Sequence, residues 1–238
     1  MIHFDRLPEP ASFDEEVRKP GNAWLASHPD EKADKMPTLW GNCRKELADG
    51  FRRLCGYSAM WVRRGTVDHY LNKASPEGRP LAYEWDNYRF ASEEVNQLKS
   101  TWNARILDPF TVEDGWFEIQ LPSLQLVIVE DRIPRVYLEQ ARFTLKKLRL
   151  VDDDDVIESR AGWYDAFREG RITLVELMVR APLLARAVRS RLDRISLAAF
   201  EDERSAYERF LDDELTLKGL RSAAPRVAAE IDDLFGKA

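Results

Sequence analysis

The sequence predicts an α+β protein in which a small strand–strand–helix unit and a separate β-hairpin are embedded in a mostly helical chain. Apolar residues recur at spacings of three and four over residues 37–54 and again beyond residue 134, which is typical of amphipathic helices. Short apolar runs near residue 60 and over 116–129, bounded by turn-forming residues, favour strands. The composition, 44% hydrophobic and 33% charged over 238 residues, is that of a folded globular protein.

The chain divides into three predicted regions. Residues 1–36 carry several prolines and little periodicity, which predicts an extended N-terminal arm that Trp24 and Leu25 pin to the rest of the protein. Residues 37–105 form the predicted core unit with a preceding helix. Residues 106–238 form a β-hairpin and a C-terminal helical region.

The core unit begins with one predicted amphipathic helix, which Gly56 ends. Its apolar face consists of Leu39, Trp40, Cys43, Leu47, Phe51 and Leu54. We then expect a hairpin of two strands, Met60–Val62 and Thr66–Asp68, joined by a tight turn. After a polar loop, Ser92 is the predicted N-cap of a short helix with acidic residues in its first turn.

The C-terminal region begins with a predicted hairpin around Pro122, and it is helical from Pro134 onward. Apolar residues between 174 and 188 are more numerous than one small helix needs for its own core, so we expect these helices to serve assembly with a partner. The alternative is an ordinary intramolecular core. The positions are Leu174, Val175, Leu177, Met178, Leu183, Leu184, Ala187 and Val188.

Composition excludes several functional classes. No run of about 18 apolar residues exists, so we expect no transmembrane helix. The acidic N-terminus lacks the apolar segment of a secretory signal, and two cysteines cannot build a secreted disulfide framework, so we expect a cytoplasmic protein. A net charge of −6 argues against nonspecific coating of nucleic acid, although the segment 44–73 is locally basic.

One of only three histidines, His69, directly follows Asp68 at the predicted strand end. Taken alone, this pair is most simply a surface pair without chemical meaning. Asn87 in the loop and Asn96 and Lys99 on the short helix add three polar residues to the same compact unit, with Asn96 and Lys99 on one helix face.

The stretches VDHYLNKAS and LAYEWDNYRFASEEVNQLKS carry this pattern, and they resemble the HNH, or ββα-metal, nuclease superfamily. Asn96 follows Asn87 by nine residues, which fits the motif. The aromatic segment 83–88 is similar to the branch found beside ATPases in bacterial anti-phage systems, such as the Septu type and retron-associated systems. The resemblance therefore implies a small ββα-metal unit within residues 37–105.

The resemblance also implies a role for each residue. His69 would be the general base, Asp68 and Asn96 would hold Mg²⁺ or Mn²⁺, Asn87 would orient the histidine, and Lys99 would meet a phosphate. Phosphodiester hydrolysis requires the same types of residue. A neutral histidine can take a proton from water near pH 7, and carboxylate and amide oxygens suit a hard divalent cation.

The sequence departs from many relatives at the structural zinc, which two Cys-x-x-Cys pairs hold. The corresponding stretches here are Cys55–Ser58 and Ser92–Val95, and one cysteine cannot make a four-cysteine site. We therefore predict no structural zinc. In its place we expect side-chain packing by Trp61, Trp85, Phe90 and Val95.

The leading hypothesis is a metal-dependent HNH endonuclease, with DNA a better candidate substrate than RNA. The resemblance implies that the chain is the effector nuclease of a bacterial anti-phage system. We expect it to act with a protein partner, for which an ATPase is one candidate. We expect no association with a membrane. Two alternatives remain open. The chain could be a catalytically inactive HNH-like interaction subunit of a larger assembly, or a helical binding protein whose Asp–His pair is accidental.

Overall fold

The structure, a computed structural model, describes residues 1–235. The chain forms two compact units. The first, which we call the N-unit, comprises Met1–Trp116 and Glu130–Leu148. The second, the C-unit, comprises Phe117–Val129 and residues 149–235. None of the helices in the described residues is both long and apolar enough to cross a membrane.

The predicted class, α+β and mostly helical, is confirmed, since helices dominate and the strands form two small antiparallel sheets. The strands are β1 (Thr66–His69), β2 (Tyr88–Ala91), β3 (Phe117–Gln120) and β4 (Gln125–Ile128). The α-helices within residues 1–235 are α1 (Lys19–Ser27), α2 (Arg44–Gly50), α3 (Glu93–Lys99), α4 (Arg135–Lys147), α5 (Asp154–Arg168), α6 (Leu174–Arg180), α7 (Pro182–Leu192), α8 (Arg204–Leu211), α9 (Leu217–Ala223) and α10 (Pro225–Phe235).

The N-terminal segment is folded rather than extended, so the prediction of an arm over residues 1–36 is wrong in conformation. A π-helical turn over Asp14–Arg18 continues directly into α1. Phe13 and Val17 are buried against the N-unit. Pro20 has no N–H to donate within this continuous helical segment, and the carbonyl of Glu16, four residues earlier, accepts from Asn42 Nδ2 at 3.4 Å instead.

The helix predicted over residues 37–54 is shorter than expected. A 3₁₀ turn over Leu39–Cys43 precedes α2, which ends at Gly50. Two successive arginines, Arg52 and Arg53, then adopt left-handed conformations with φ of 54° and 55°. The apolar spacing correctly identified the buried side, because Cys43, Leu47, Phe51 and Leu54 are all in the core.

The strand–strand–helix unit exists, but its strand pairing differs from the prediction. β1 pairs antiparallel with β2, which lies beyond the loop 70–87, and α3 follows directly. The predicted first strand, Met60–Val62, instead makes a single isolated bridge to Leu54 through Trp61. Ser92 is confirmed as the N-cap of α3, since its hydroxyl accepts a hydrogen bond from the backbone N–H of Val95 at 3.2 Å.

The C-unit contains the predicted hairpin, formed by β3 and β4. Most of the apolar residues over 174–188 lie in its own core, so the expectation that they serve assembly is wrong for the buried positions, which are Leu174, Leu177, Leu183, Leu184 and Val188. Val175 and Met178 remain exposed. An intramolecular helical core thus accounts for most of this apolar pattern.

Gly65 fits β1 against β2 because it has no side chain. A Cβ atom there would lie 2.3 Å from Cζ of Phe90 and 2.8 Å from the carbonyl oxygen of Ala91. We predict that Gly65→Ala lowers the free energy of unfolding by about 1–3 kcal/mol, since overpacking forces the backbone to shift. Chemical denaturation measures this loss.

Gly41→Ala is the matched control, because a Cβ atom at Gly41 would meet nothing within 4 Å. We expect it to change stability by no more than about 0.5 kcal/mol. Equal losses in the two variants would show that Gly65 is not held by close packing.

Candidate active site

The structure brings three of the five predicted site residues to one cleft of about 340 Å³ in the N-unit. Asp68 and His69 come from the end of β1, and Asn96 comes from α3. The complete lining is Trp40, Thr66, Val67, Asp68, His69, Asn72, Lys73, Asn96, Gln97 and Ser100. Asn87 and Lys99 lie behind this surface and are buried. We call this pocket the His69 cleft.

His69 is held in one orientation. Its Nε2 lies 2.9 Å from the carbonyl oxygen of Ala82, which can only accept, so Nε2 carries the proton. The rings of Trp40 and Tyr88 contact the imidazole edge-on at centroid distances of 4.8 and 5.2 Å. Nδ1 therefore holds the free lone pair, and it has no hydrogen-bond partner within residues 1–235.

Burial also fixes the charge of His69. Desolvation lowers the pKa of the imidazole to about 4, since the interior disfavours the protonated form. The hydrogen bond to Ala82 and the negative charge of Asp68 oppose this shift without cancelling it. At pH 7 the ring is therefore neutral, which is the state that a proton acceptor needs.

Asn87 closes the loop 70–87 at its base. Its Oδ1 accepts from the backbone N–H of Leu71 at 2.8 Å, and its Nδ2 donates to the carbonyls of Leu71 and Leu81 at 3.0 and 3.1 Å. The side chain makes no hydrogen bond to His69. It positions the histidine only through the loop, because Leu81 directly precedes Ala82, whose carbonyl fixes the ring.

Asp68 belongs to a buried three-group cluster. Its Oδ1 accepts from Lys99 Nζ at 3.0 Å, and its Oδ2 accepts from the Tyr57 hydroxyl at 2.6 Å. Burial and the neighbouring carboxylate raise the pKa of Tyr57 well above its usual range, so this hydroxyl stays protonated and donates. Asp68 is only 3% exposed at the edge of the cleft.

Lys99 uses all three of its N–H groups inside the protein. Besides Asp68, its Nζ donates to the carbonyls of His69 and Tyr70 at 2.8 and 3.0 Å, and its side chain is fully buried. The expectation that Lys99 meets a substrate phosphate is therefore not supported by its position. A lysine three residues from a helix-face asparagine is ordinarily exposed, and here tertiary packing overrides that pattern.

The same cluster decides how well a divalent cation fits. Mg²⁺ prefers carboxylate oxygens with unshared negative charge and room for its waters. Asp68 offers a carboxylate whose charge a buried ammonium already neutralises, and Asn96 adds only a neutral amide. Within residues 1–235, Asp68 and His69 belong to no group of three acidic, histidine or cysteine side chains close enough to share an ion. The ion pair with Lys99 therefore counts against Asp68 as a strong Mg²⁺ ligand, and the metal site at Asp68 and Asn96 stays a prediction.

Three further residues of this region were not identified from sequence. Trp40 walls the His69 cleft, and Lys73 lies in it with Nζ 4.9 Å from the Trp40 ring centroid. Arg89, the partner of Asp68 in the β1–β2 register, forms a buried bidentate ion pair with Asp108 at 2.7 and 2.6 Å. The apolar spacing marked Trp40 only as a packing residue and the local charge marked Lys73 only as basic, because the position of each at the cleft depends on residues distant in sequence.

The two cysteines are free and buried. Burial raises the pKa of the Cys43 thiol to about 12. Of the residues expected to pack in place of a zinc site, Trp85, Phe90 and Val95 are buried, whereas Trp61 is half-buried.

Comparisons of the chain with known protein families, with curated proteins and with solved structures found no match.

The buried histidine predicts a specific dependence of stability on pH. The unfolded chain takes up a proton at its ordinary pKa near 6.5, whereas folded His69 does so only near 4. Between these values the unfolded state binds more protons, so folding loses stability as the pH falls. We expect this residue to remove about 3 kcal/mol from the free energy of unfolding between pH 7 and pH 4.

Urea denaturation across that range should show a shallower acid loss in His69→Gln than in the parent. Gly65→Ala controls for destabilisation alone, because it removes no titratable group, and it should keep the parent's pH dependence. If His69→Gln loses stability with acid as steeply as the parent, the histidine is not buried and neutral.

Proposed function

We propose that this chain is an HNH-type endonuclease that hydrolyses phosphodiester bonds, with DNA preferred over RNA and with His69 as the general base. One observation carries the proposal. A neutral imidazole has one nitrogen fixed by the Ala82 carbonyl and no hydrogen-bond partner within residues 1–235 for the other, and the residue lines an open cleft. A packing histidine without a chemical role has no need of this arrangement at a cleft wall.

The residues of the cleft suit this reaction. Nδ1 of His69 would accept a proton from water as the water oxygen attacks phosphorus, and the P–O bond to the leaving oxygen would break. Lys73 supplies a positive charge in the same cleft for the phosphate oxygens, and Asn96 offers an amide donor. A pKa near 4 makes His69 a weak base in the free protein. A bound phosphate anion would raise that pKa toward the range where proton transfer is effective.

The resemblance implies Mg²⁺ or Mn²⁺ in addition, and this stays a prediction. No step above depends on a metal, because Asp68 is neutralised by Lys99. The place of the chain as effector of an anti-phage system, with an ATPase as candidate partner, likewise stays a prediction that rests on the resemblance of the motif.

A second candidate function is a catalytically inactive HNH-like interaction subunit. The cluster of Tyr57, Asp68 and Lys99 favours it, since the carboxylate expected to hold the metal is committed to a buried ion pair. An inactive subunit would retain this pair for folding alone. The two candidates differ in whether His69 is needed for cleavage.

A nicking assay on supercoiled plasmid separates them. We expect the parent, with Mg²⁺ or Mn²⁺ and with any co-purifying protein, to convert plasmid to the nicked form. His69→Gln should cut about 10²–10⁴-fold more slowly, the usual contribution of a general base. The glutamine amide can keep the hydrogen bond to Ala82, so folding should be largely retained.

His28→Gln is the matched control, because His28 is exposed and stacks on Trp24 outside the cleft. It should cut like the parent. Equal nicking by the parent and His69→Gln would reject the general-base role and favour the inactive subunit. An EDTA arm reports whether the predicted metal is required.

A further inference from the structure

A second pocket of the N-unit, of about 490 Å³, is strongly basic, and we call it the basic pocket. Its lining contains five cationic side chains and no acidic one. The lining residues are Gly41, Asn42, Arg44, Lys45, Ala48, Arg53, Arg63, Arg64, Gly65 and Phe90. In a chain of net charge −6, the segment 44–64 holds six Lys and Arg residues against two acidic ones.

Most of this charge is not neutralised by the protein. Lys45 and Arg53 share Asp49, at N–O distances of 2.7 and 3.7 Å. Arg63 and Arg64 are exposed, and no ion pair involves them within residues 1–235. Like charges gathered around one pocket repel one another, so an anionic ligand would relieve the repulsion.

Two residues beside the pocket have a backbone conformation that is unfavourable for arginine. Arg53 and its neighbour Arg52 both lie in the left-handed region, where glycine or asparagine is favoured. The backbone N–H of Arg53 donates to the carbonyl of Ala48 at 2.7 Å, which holds this turn against α2. Arg53 thus lines the pocket from a backbone conformation that glycine or asparagine would ordinarily adopt.

The basic pocket adjoins the His69 cleft. Trp40 lines the cleft and Gly41 lines the basic pocket, and likewise Thr66 lines the cleft and Gly65 the pocket. Consecutive Cα atoms are about 3.8 Å apart, so the linings of the two pockets are neighbours in the chain at both segments.

We infer that the basic pocket binds the phosphate backbone of a nucleic acid strand that continues into the His69 cleft. Guanidinium groups match phosphate oxygens in pairs, and several arginines in a row suit a ligand with repeated phosphates. The placement of the strand beside His69 rests on the proposed function, whereas binding in the pocket does not.

Fluorescence anisotropy with a short fluorescein-labelled DNA duplex of mixed sequence tests the inference, in EDTA so that cleavage does not intervene. The variant Arg63→Gln/Arg64→Gln should bind more weakly than the parent. Each phosphate contact contributes about 0.9 to the slope of log affinity against log salt, so the slope should shrink by up to about 1.8.

The control is Arg135→Gln/Lys146→Gln, which removes the same charge from exposed positions of α4 outside the pocket. It should bind nearly as the parent does. Equal weakening by the two double variants, or no DNA binding by the parent at low salt, would overturn the inference. Polyglutamate and unlabelled DNA can also be compared as competitors at the same concentration of negative charges. If polyglutamate displaces the labelled DNA more effectively, the inference is overturned and an acidic protein partner is indicated.

The outcomes separate this inference from the proposed nuclease activity. If Arg63→Gln/Arg64→Gln loses DNA binding while His69→Gln leaves nicking unchanged, the binding site stands and the catalytic proposal fails. If the double variant binds DNA like the parent while nicking still depends on His69, the catalytic proposal stands and the basic pocket is not the binding site.

Discussion

The buried ion pair between Asp68 and Lys99 is the constraint on which the strand–strand–helix unit depends. A fully buried ammonium must place each N–H on an acceptor, and all three acceptors of Lys99 lie at the end of β1 and just beyond it. The last residue of α3 is therefore fastened to the end of β1. This fixes Asn96, one turn earlier on the helix, beside the cleft that His69 lines.

The ion pair also gives the two adjacent residues, Asp68 and His69, different roles. Asp68 is committed to Lys99 and Tyr57, whereas His69 places its ring between Trp40 and Tyr88 with one nitrogen unused. The histidine carbonyl is itself an acceptor for Lys99, so the ion pair and the proposed base share one rigid backbone segment. The arrangement favours a positioned base over a metal centre at Asp68, and the basic pocket supplies the positive charge that a phosphate ligand requires.

Local patterns predicted the parts of the fold that local forces determine. The N-cap Ser92, the β3–β4 hairpin and the buried side of residues 37–54 depend on neighbouring residues, and each is found. The pairing of β1 with β2 spans the loop 70–87, and no turn signal in the sequence specifies it. The burial of Lys99 was equally unpredictable, because it depends on an acceptor set 29–31 residues away. The motif spacing correctly predicted that Asp68, His69 and Asn96 lie at one cleft. It did not indicate that the Asp68 carboxylate is already paired with Tyr57 and Lys99.

A double-mutant cycle on Asp68 and Lys99 tests the central claim most directly, with the free energy of unfolding in urea as the readout. Asp68→Asn and Lys99→Met should each cost about 3–5 kcal/mol, because each leaves an uncompensated buried charge or donor. The double variant should cost less than the sum of the two, with a coupling of about 2 kcal/mol or more. Additive losses within about 0.5 kcal/mol would show that the two side chains do not depend on each other, and would contradict the account.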